Sequence, residues 1–180
     1  MIQIQALREI LNSQLVPNGT LLDTLNDFKC ERDEDIECFL YKHSINYEEQ
    51  NIARTFLIMD DAKPGVVIGY FAIGLNVMHF DTSLSVQDAY EGINLCESGF
   101  HPVYKLFMIG KDDRYKNFVN MKDIFFGDVL RYINECQDKV GGEIFYIDCD
   151  PNLQDYYDSL GFEYLDEIKD KDLIRMIMKI

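Results

Sequence analysis

What the sequence lacks narrows it first. No apolar run is long enough to cross a bilayer, and the opening residues MIQIQALREI hold two charges and no apolar signal core. Neither a membrane span nor a secretory leader is predicted, and a cytoplasmic chain is the default expectation. Cys30, Cys38, Cys96, Cys136 and Cys149 are odd in number and form no C-x-x-C pair. That argues against a disulfide framework and against a zinc site, and reduced, mostly buried thiols are expected. His43, His79 and His101 show no i,i+4 spacing, so no metal is predicted. Cations are scarce: 17 Lys and Arg stand against 32 Asp and Glu, a net charge of −15. Such a field repels tRNA or DNA unless a local basic patch overrides it, and draws a cationic amine such as a polyamine, an aminosugar or a basic peptide. The same charge also serves plain solubility.

What is present fits one domain over residues 1–180, with 47% hydrophobic residues to fill a core. Helical periodicity covers residues 4–13 (Ile4, Leu7, Ile10, Leu11), and Pro17-Asn18-Gly19 is a turn. Leu21, Leu22, Leu25 and Phe28 make a short second face. A longer helix is predicted over 33–50, with Ile36, Phe39, Leu40 and His43 on one side and an acidic, solvated first turn. Strands at 54–60 and 66–73 flank a turn and read as a hairpin. Residues 76–100 read as irregular and polar, with a short helix near 86–90. A strand at 103–109, a helix at 121–138 stopped by Gly141-Gly142, and a buried parallel strand at 143–148 follow. Pro151 opens a short helix that Gly161 closes, and residues 173–180 form a last strand. The order predicts an α/β fold with a mixed central sheet flanked by helices. The strand–helix–strand crossover is parallel, and ligands are expected at the carboxyl ends of its strands.

Three stretches carry a resemblance. Phe28-Lys29-Cys30, residues 35–40 (DIECFL), residues 53–56 (ARTF) and residues 67–73 (VIGYFAI) resemble the front half of the GNAT acetyltransferase superfamily, in its bacterial subgroup that includes the aminoacyl-tRNA-acetylating toxins. Residues 152–162, NLQDYYDSLGF, closely resemble the superfamily's C-terminal motif, a short helix with an aromatic–Tyr pair that ends in Gly-Phe. Lys122-Asp123-Ile124-Phe125-Phe126-Gly127 is similar to its phosphate-binding segment, Gln/Arg-x-x-Gly-x-Gly/Ala, with Phe125 in place of the middle glycine. A rival register on Arg114-Tyr115-Lys116-Asn117 would leave the next helix too long, so the Lys122 register is preferred, with a longer loop over 110–120.

The resemblance spans residues 20–180. It implies a GNAT-like fold with splayed parallel strands at an acetyl-CoA site, and direct acetyl transfer to a primary amine in a ternary complex. It places the backbone of Met108 and Ile109 against the pantetheine arm. Lys111, Arg114, Lys116 and Lys122 surround the pyrophosphate at a helix start made of Asp123, Ile124, Phe125, Phe126 and Gly127. Asn152, Tyr156 and Tyr157 face the arm and the thiol, with Tyr157 as the general acid. A helix N-terminus binds a pyrophosphate through unpaired N–H groups and its dipole. Phe125 is therefore tolerated with its side chain in the core, and excluded if the turn needs positive φ. Glu97, His101, Asp148 and Asp150 are candidate bases by position alone, and a water chain would also serve. Cys149 has no His partner in sequence, which argues against an acyl-cysteine. Toxin-type acetylation of aminoacyl-tRNA stays open, as does a non-catalytic module that binds CoA or a protein. A homodimer through the last strand's edge stays open too.

Overall fold

A computed structural model of the chain describes residues 2–13, 18–63, 65–80, 93 and 97–180. The short helix expected at 86–90 lies outside the described residues. Strands β1 (Ile2–Ala6), β2 (Arg54–Asp60), β3 (Val67–His79), β4 (Phe100–Lys111), β5 (Ile144–Cys149), β6 (Glu163–Ile168) and β7 (Leu173–Lys179) hydrogen-bond in the order β1-β2-β3-β4-β5-β7-β6. The β4–β5 pair is parallel, and β1–β2, β2–β3, β5–β7 and β6–β7 are antiparallel. This is the mixed sheet that the sequence predicts. The chain divides into two compact units, residues 1–74 with 107–125 and residues 75–106 with 126–180.

In the first unit, the helix expected over 4–13 is shorter. Residues 4–6 belong to β1, and α1 is Leu7–Ser13. Ile2, Ile4 and Ala6 alternate with Gln3 and Gln5, and pairing such as Ile4↔Ile58 fixes the extended form. After α2 (Asn18–Asn26), the helix expected over 33–50 is α3 (Glu34–Cys38), a π turn (Phe39–His43) and α4 (Ser44–Glu49). Asp33 caps α3 by accepting from the Asp35 amide at 3.0 Å, and Glu34, Asp35 and Glu37 complement the dipole of the first turn. Leu7, Leu25, Leu40 and Leu57 belong to one buried core cluster with Tyr70. The Tyr70 ring stacks on Phe39 at 6.2 Å and meets Phe28 edge-on at 5.4 Å, while its hydroxyl donates to the Ile36 carbonyl at 2.6 Å. That bond satisfies a phenol that is otherwise fully buried.

Gly74 ends the first unit's share of β3 where another backbone comes close. A Cβ there would collide with the Ile52 carbonyl oxygen and press on the Phe107 ring at 3.0 Å. Gly74→Ala should therefore destabilise the protein by about 1–3 kcal/mol, the range for overpacking a closed site. Its urea midpoint, compared with wild type, is the check.

The second unit carries the parallel pair. The segment 76–79, expected to be irregular, continues β3, and β4 begins at Phe100, so both strands are longer than the sequence suggested. After α5 (Met121–Ile124) in the first unit and a π turn (Phe125–Val129), α6 (Leu130–Val140) ends at Gly141. Gly141 has φ +76 and donates to the Gln137 carbonyl at 2.8 Å, the expected glycine stop. The Pro151 turn leads into α7 (Gln154–Asp158), which Gly161 closes at φ +95. Strand β6, absent from the sequence prediction, pairs outside β7. Val103, Ile144, Tyr146 and Ile177 form a core cluster with Met78 and Phe80. No described helix is long and apolar enough to cross a membrane.

Candidate active site

In the second unit, the parallel register of β4 and β5 holds only two pairs, Tyr104↔Phe145 and Lys105↔Tyr146. β5 runs on to Cys149, and over Ile147–Cys149 its register among the described residues is with β7 alone. A strand edge with backbone groups left over needs another partner, and a bound amide chain is one such partner.

Beyond that edge the chain turns. Asp150 accepts from the Asn152 amide and from Asn152 Nδ2, both at 2.8 Å, which fixes the entry to the 3-10 turn Pro151–Leu153. Asn152 is exposed and Tyr156 half-buried, whereas Tyr157 is 6% exposed. The Tyr157 ring meets Tyr156 at 5.1 Å and Phe162 at 5.7 Å, both edge-on, and Phe162 in turn packs on Phe145 at 5.5 Å. The predicted acid is thus held by its ring on one side of β5. Burial raises the Tyr156 phenol above its ordinary value.

Cys149 is buried at the end of β5, and burial, with Asp148, Asp150 and Asp158 nearby, pushes its thiol up to about 11. A thiol so protonated is a poor nucleophile. Iodoacetamide at pH 8 should label the exposed Cys136 and spare Cys149, as peptide mass spectrometry of the folded protein would show.

The four positional bases fare differently. Burial alone would raise Asp148, but hydrogen bonds from Arg175 and Lys105 hold its carboxyl below the usual range, which weakens it as a base. Asp150 is the turn cap already described. His101 is buried edge-on to Phe80 at 5.3 Å, and burial, then His79, pull its imidazole down, so it is neutral at pH 7. Glu97 is exposed.

The first unit holds the other predicted residues up to Phe125, and Phe126 and Gly127 belong to the second. Met108 and Ile109 are half-buried on β4, and Met108 packs on that unit's core. The loop after β4 is pinned. Asp112 is fully buried and accepts from the Lys29 amide at 3.0 Å and from the Arg114 amide at 2.9 Å. It also takes Arg114 Nε at 2.9 Å and Nη2 at 2.6 Å. Arg114 Nη1 reaches Asp27 at 3.0 Å, so every guanidinium nitrogen is engaged by the protein itself. Lys111 Nζ donates to the carbonyls of Lys116 at 2.8 Å and Val119 at 3.4 Å, which staples the loop. Glu31, Arg32, Lys111, Asp113, Lys116 and Asn117 line a pocket of about 430 Å³ beside it.

The helix after the loop begins at Met121, so the Lys122–Gly127 segment is helical throughout and not a turn. Asn120 caps it: Oδ1 accepts from the Lys122 amide at 3.1 Å, and its carbonyl from Asp123 and Ile124 at 3.1 and 3.2 Å. Phe125 has φ −60 and a fully buried side chain, which is the tolerated case for a phenylalanine at this position. Ile124 is buried, while Lys122, Asp123, Phe126 and Gly127 are exposed, and a Cβ on Gly127 would meet nothing within 4 Å.

No family model matches the chain, and no curated protein matches it in sequence. Solved structures do match. A bacterial toxin aligns with a TM-score of 0.76 at 15% identity, over 100% of this chain and 91% of its own. The AtaTR complex bound with acetyl-CoA aligns at 0.70 and 16% identity, over 99% of this chain and 93% of that one. AtaT complexed with acetyl-methionyl-tRNAfMet aligns at 0.68 and 15%, over 99% and 95%. This chain has the fold of these toxins. Tyrosine-to-phenylalanine mutants of AtaT and of KacT share it, each with a TM-score of 0.67. The GNAT-like fold that the motifs implied is therefore the fold observed.

Sequence reasoning missed two arrangements. Asp112 gave no signal beyond lying in an Asp-Asp-Arg run. The ion group of Lys105, Asp148 and Arg175 joins residues far apart in the chain, and only strand register brings them together.

Proposed function

We propose that the chain is an acetyl-CoA-dependent N-acetyltransferase that passes an acetyl group directly to a primary amine. The observation that carries the reading is the two-pair parallel register, which leaves the end of β5 without a β4 partner immediately before the Asn152–Tyr157 turn. It gains support from the toxin of the same fold solved with acetyl-CoA. Bound acetyl-CoA would supply a thioester whose carbonyl carbon accepts the amine nitrogen as the carbon–sulfur bond breaks. The residues then have separate tasks. The free edge of β5 offers hydrogen bonds to an amide arm. The exposed side chains of Lys116 and Lys122 offer charge to phosphates. Tyr157 holds a phenol proton for the departing sulfur. The placement of Phe125 removes one ground for reading the chain as a silent module.

A second reading of the acceptor, the amino group of an aminoacyl-tRNA, has a specific observation in its favour: AtaT has been solved with acetyl-methionyl-tRNAfMet. The net charge of −15 weighs against it. Calorimetry with acetyl-CoA, followed by thiol release on a panel of free amines and on aminoacyl-tRNA, tests both readings. Binding with turnover on either acceptor class supports the enzyme and selects the class. No binding at millimolar acetyl-CoA sinks it.

A further inference from the structure

The ion group on β4, β5 and β7 has no task in the chemistry above. Lys105 and Tyr146 are the last pair of the parallel register, and Asp148 lies two residues further along β5. The contact of Lys105 Nζ with Asp148 Oδ2, 2.9 Å, therefore spans the two strands where their backbone pairing has stopped. On its other side Asp148 Oδ1 accepts from Arg175 Nε at 2.8 Å, and Arg175 is its register partner on β7. Side chains alternate along a strand, so Tyr146 and Asp148 share the face opposite Phe145 and Ile147. Both cations also lie 5.3 Å from the centre of the Tyr146 ring, whose hydroxyl accepts from Asn76 Nδ2 at 2.6 Å.

Arg175 engages Asp148 through Nε alone, and among the described residues its two terminal Nη groups make no hydrogen bond. Asp166, opposite Arg175 on β6, is exposed; it is not within ion-pair distance among the described residues, but its charge also acts on the guanidinium. A guanidinium held by its Nε over an aromatic ring, with two N–H arms to spare, is pre-arranged for the paired oxygens of an anion.

We propose that Arg175, oriented by Asp148 and Lys105, binds a phosphate carried by the amine substrate. The proposal rests on the acetyltransferase reading for its turnover. It applies equally to a small phosphorylated amine and to the terminal phosphates of an aminoacyl-tRNA, since both present the same oxygens. It reconciles an acidic protein with an anionic acceptor, because a single local site replaces a basic surface.

The test uses the full chain and two matched pairs of acceptors. One pair is ethanolamine and O-phosphoethanolamine. The other is methionyl adenosine ester and methionyl-tRNA. In at least one pair the phosphate-bearing acceptor should show a KM lower by about tenfold or more, the scale of a charged hydrogen-bond pair. Arg175→Gln should erase that difference, and Arg175→Lys, which keeps the charge without the fork, should restore part of it. The pair that shows the effect identifies the source of the phosphate. Equal KM values within both pairs overturn the proposal, as does a preference that survives Arg175→Gln in protein shown to be folded by circular dichroism. If no acceptor is acetylated, the enzymatic reading fails by itself, and titration with inorganic phosphate decides the site. Binding that Arg175→Gln removes sustains it, and absent or undiminished binding overturns it.

Discussion

Tyr157→Phe should lower the rate of thiol release from acetyl-CoA about 10²-fold or more, the range for removing a positioned general acid. Acetyl-CoA binding, measured by calorimetry, should be retained. The split between rate and binding follows from the packing. The Tyr157 ring is held edge-on by Tyr156 and Phe162 and is almost wholly buried, and phenylalanine preserves each of those contacts. Only the O–H is lost, so the protein should fold as before and the deficit should lie in kcat. A variant that releases thiol at the wild-type rate would remove Tyr157 from the chemistry and leave it a packing residue of α7. Tyr156, whose phenol burial already raises, would be a poorer substitute.

Asp112→Ala should cost about 3–5 kcal/mol of stability, the penalty for removing one partner of a buried ion pair. Four donors converge on this carboxylate, two amides and two guanidinium nitrogens, and alanine leaves all of them without it. Arg114 is partly exposed, so water rescues some of its loss, which favours the lower end of that range. The pH dependence has a definite sign. Burial alone would raise the Asp112 carboxyl, but its bonds to Arg114 and to the Lys29 amide hold it below the ordinary carboxylate range. Its contribution is therefore complete above the unfolded-state value of about 3.9 and is lost as pH falls through the lower folded value. Urea midpoints at pH 7 and near pH 3 should differ more for wild type than for Asp112→Ala. Parallel acid profiles would assign the acid lability elsewhere.

The elements that could be read from the chain are those whose period survives in a single window. The hairpin strands at 54–60 and 67–73 are continuous apolar runs on either side of a turn, and the helix at 121–140 repeats its apolar side chains every third and fourth residue, so both were legible, although β3 runs on to His79. β1 is hidden because Ile4, Leu7, Ile10 and Leu11 satisfy helical spacing by coincidence across a strand–helix junction. β6 was overlooked because Glu163, Asp166 and Glu167 on an outer strand leave no apolar run, while such charges suit an edge. At the candidate site, the Asn152–Tyr157 turn was legible as a local motif. The cations were legible only as charges: that Arg114 is consumed by Asp112 and Asp27 depends on residues up to 87 positions apart. Long-range pairing of this kind leaves no local period to find.

A π turn closes its hydrogen bonds between residues five apart, and so takes in one residue more than the α-helical turn it replaces. Among the described residues two helices contain one, at Phe39–His43 and at Phe125–Val129. In each, an additional residue is absorbed without ending the helix. In the second, Ile124 before the turn, Phe125 and Val129 within it and Ile133 after it are all buried, so the apolar stripe is continuous through the extra residue. Alignment of such a helix with an unbulged one requires a one-residue gap in mid-helix, where scoring schemes resist gaps. A chain can in this way drift beyond the reach of residue-by-residue comparison while its three-dimensional trace changes little. Identities of 13–16% stand beside structural coverage of 99% of this chain.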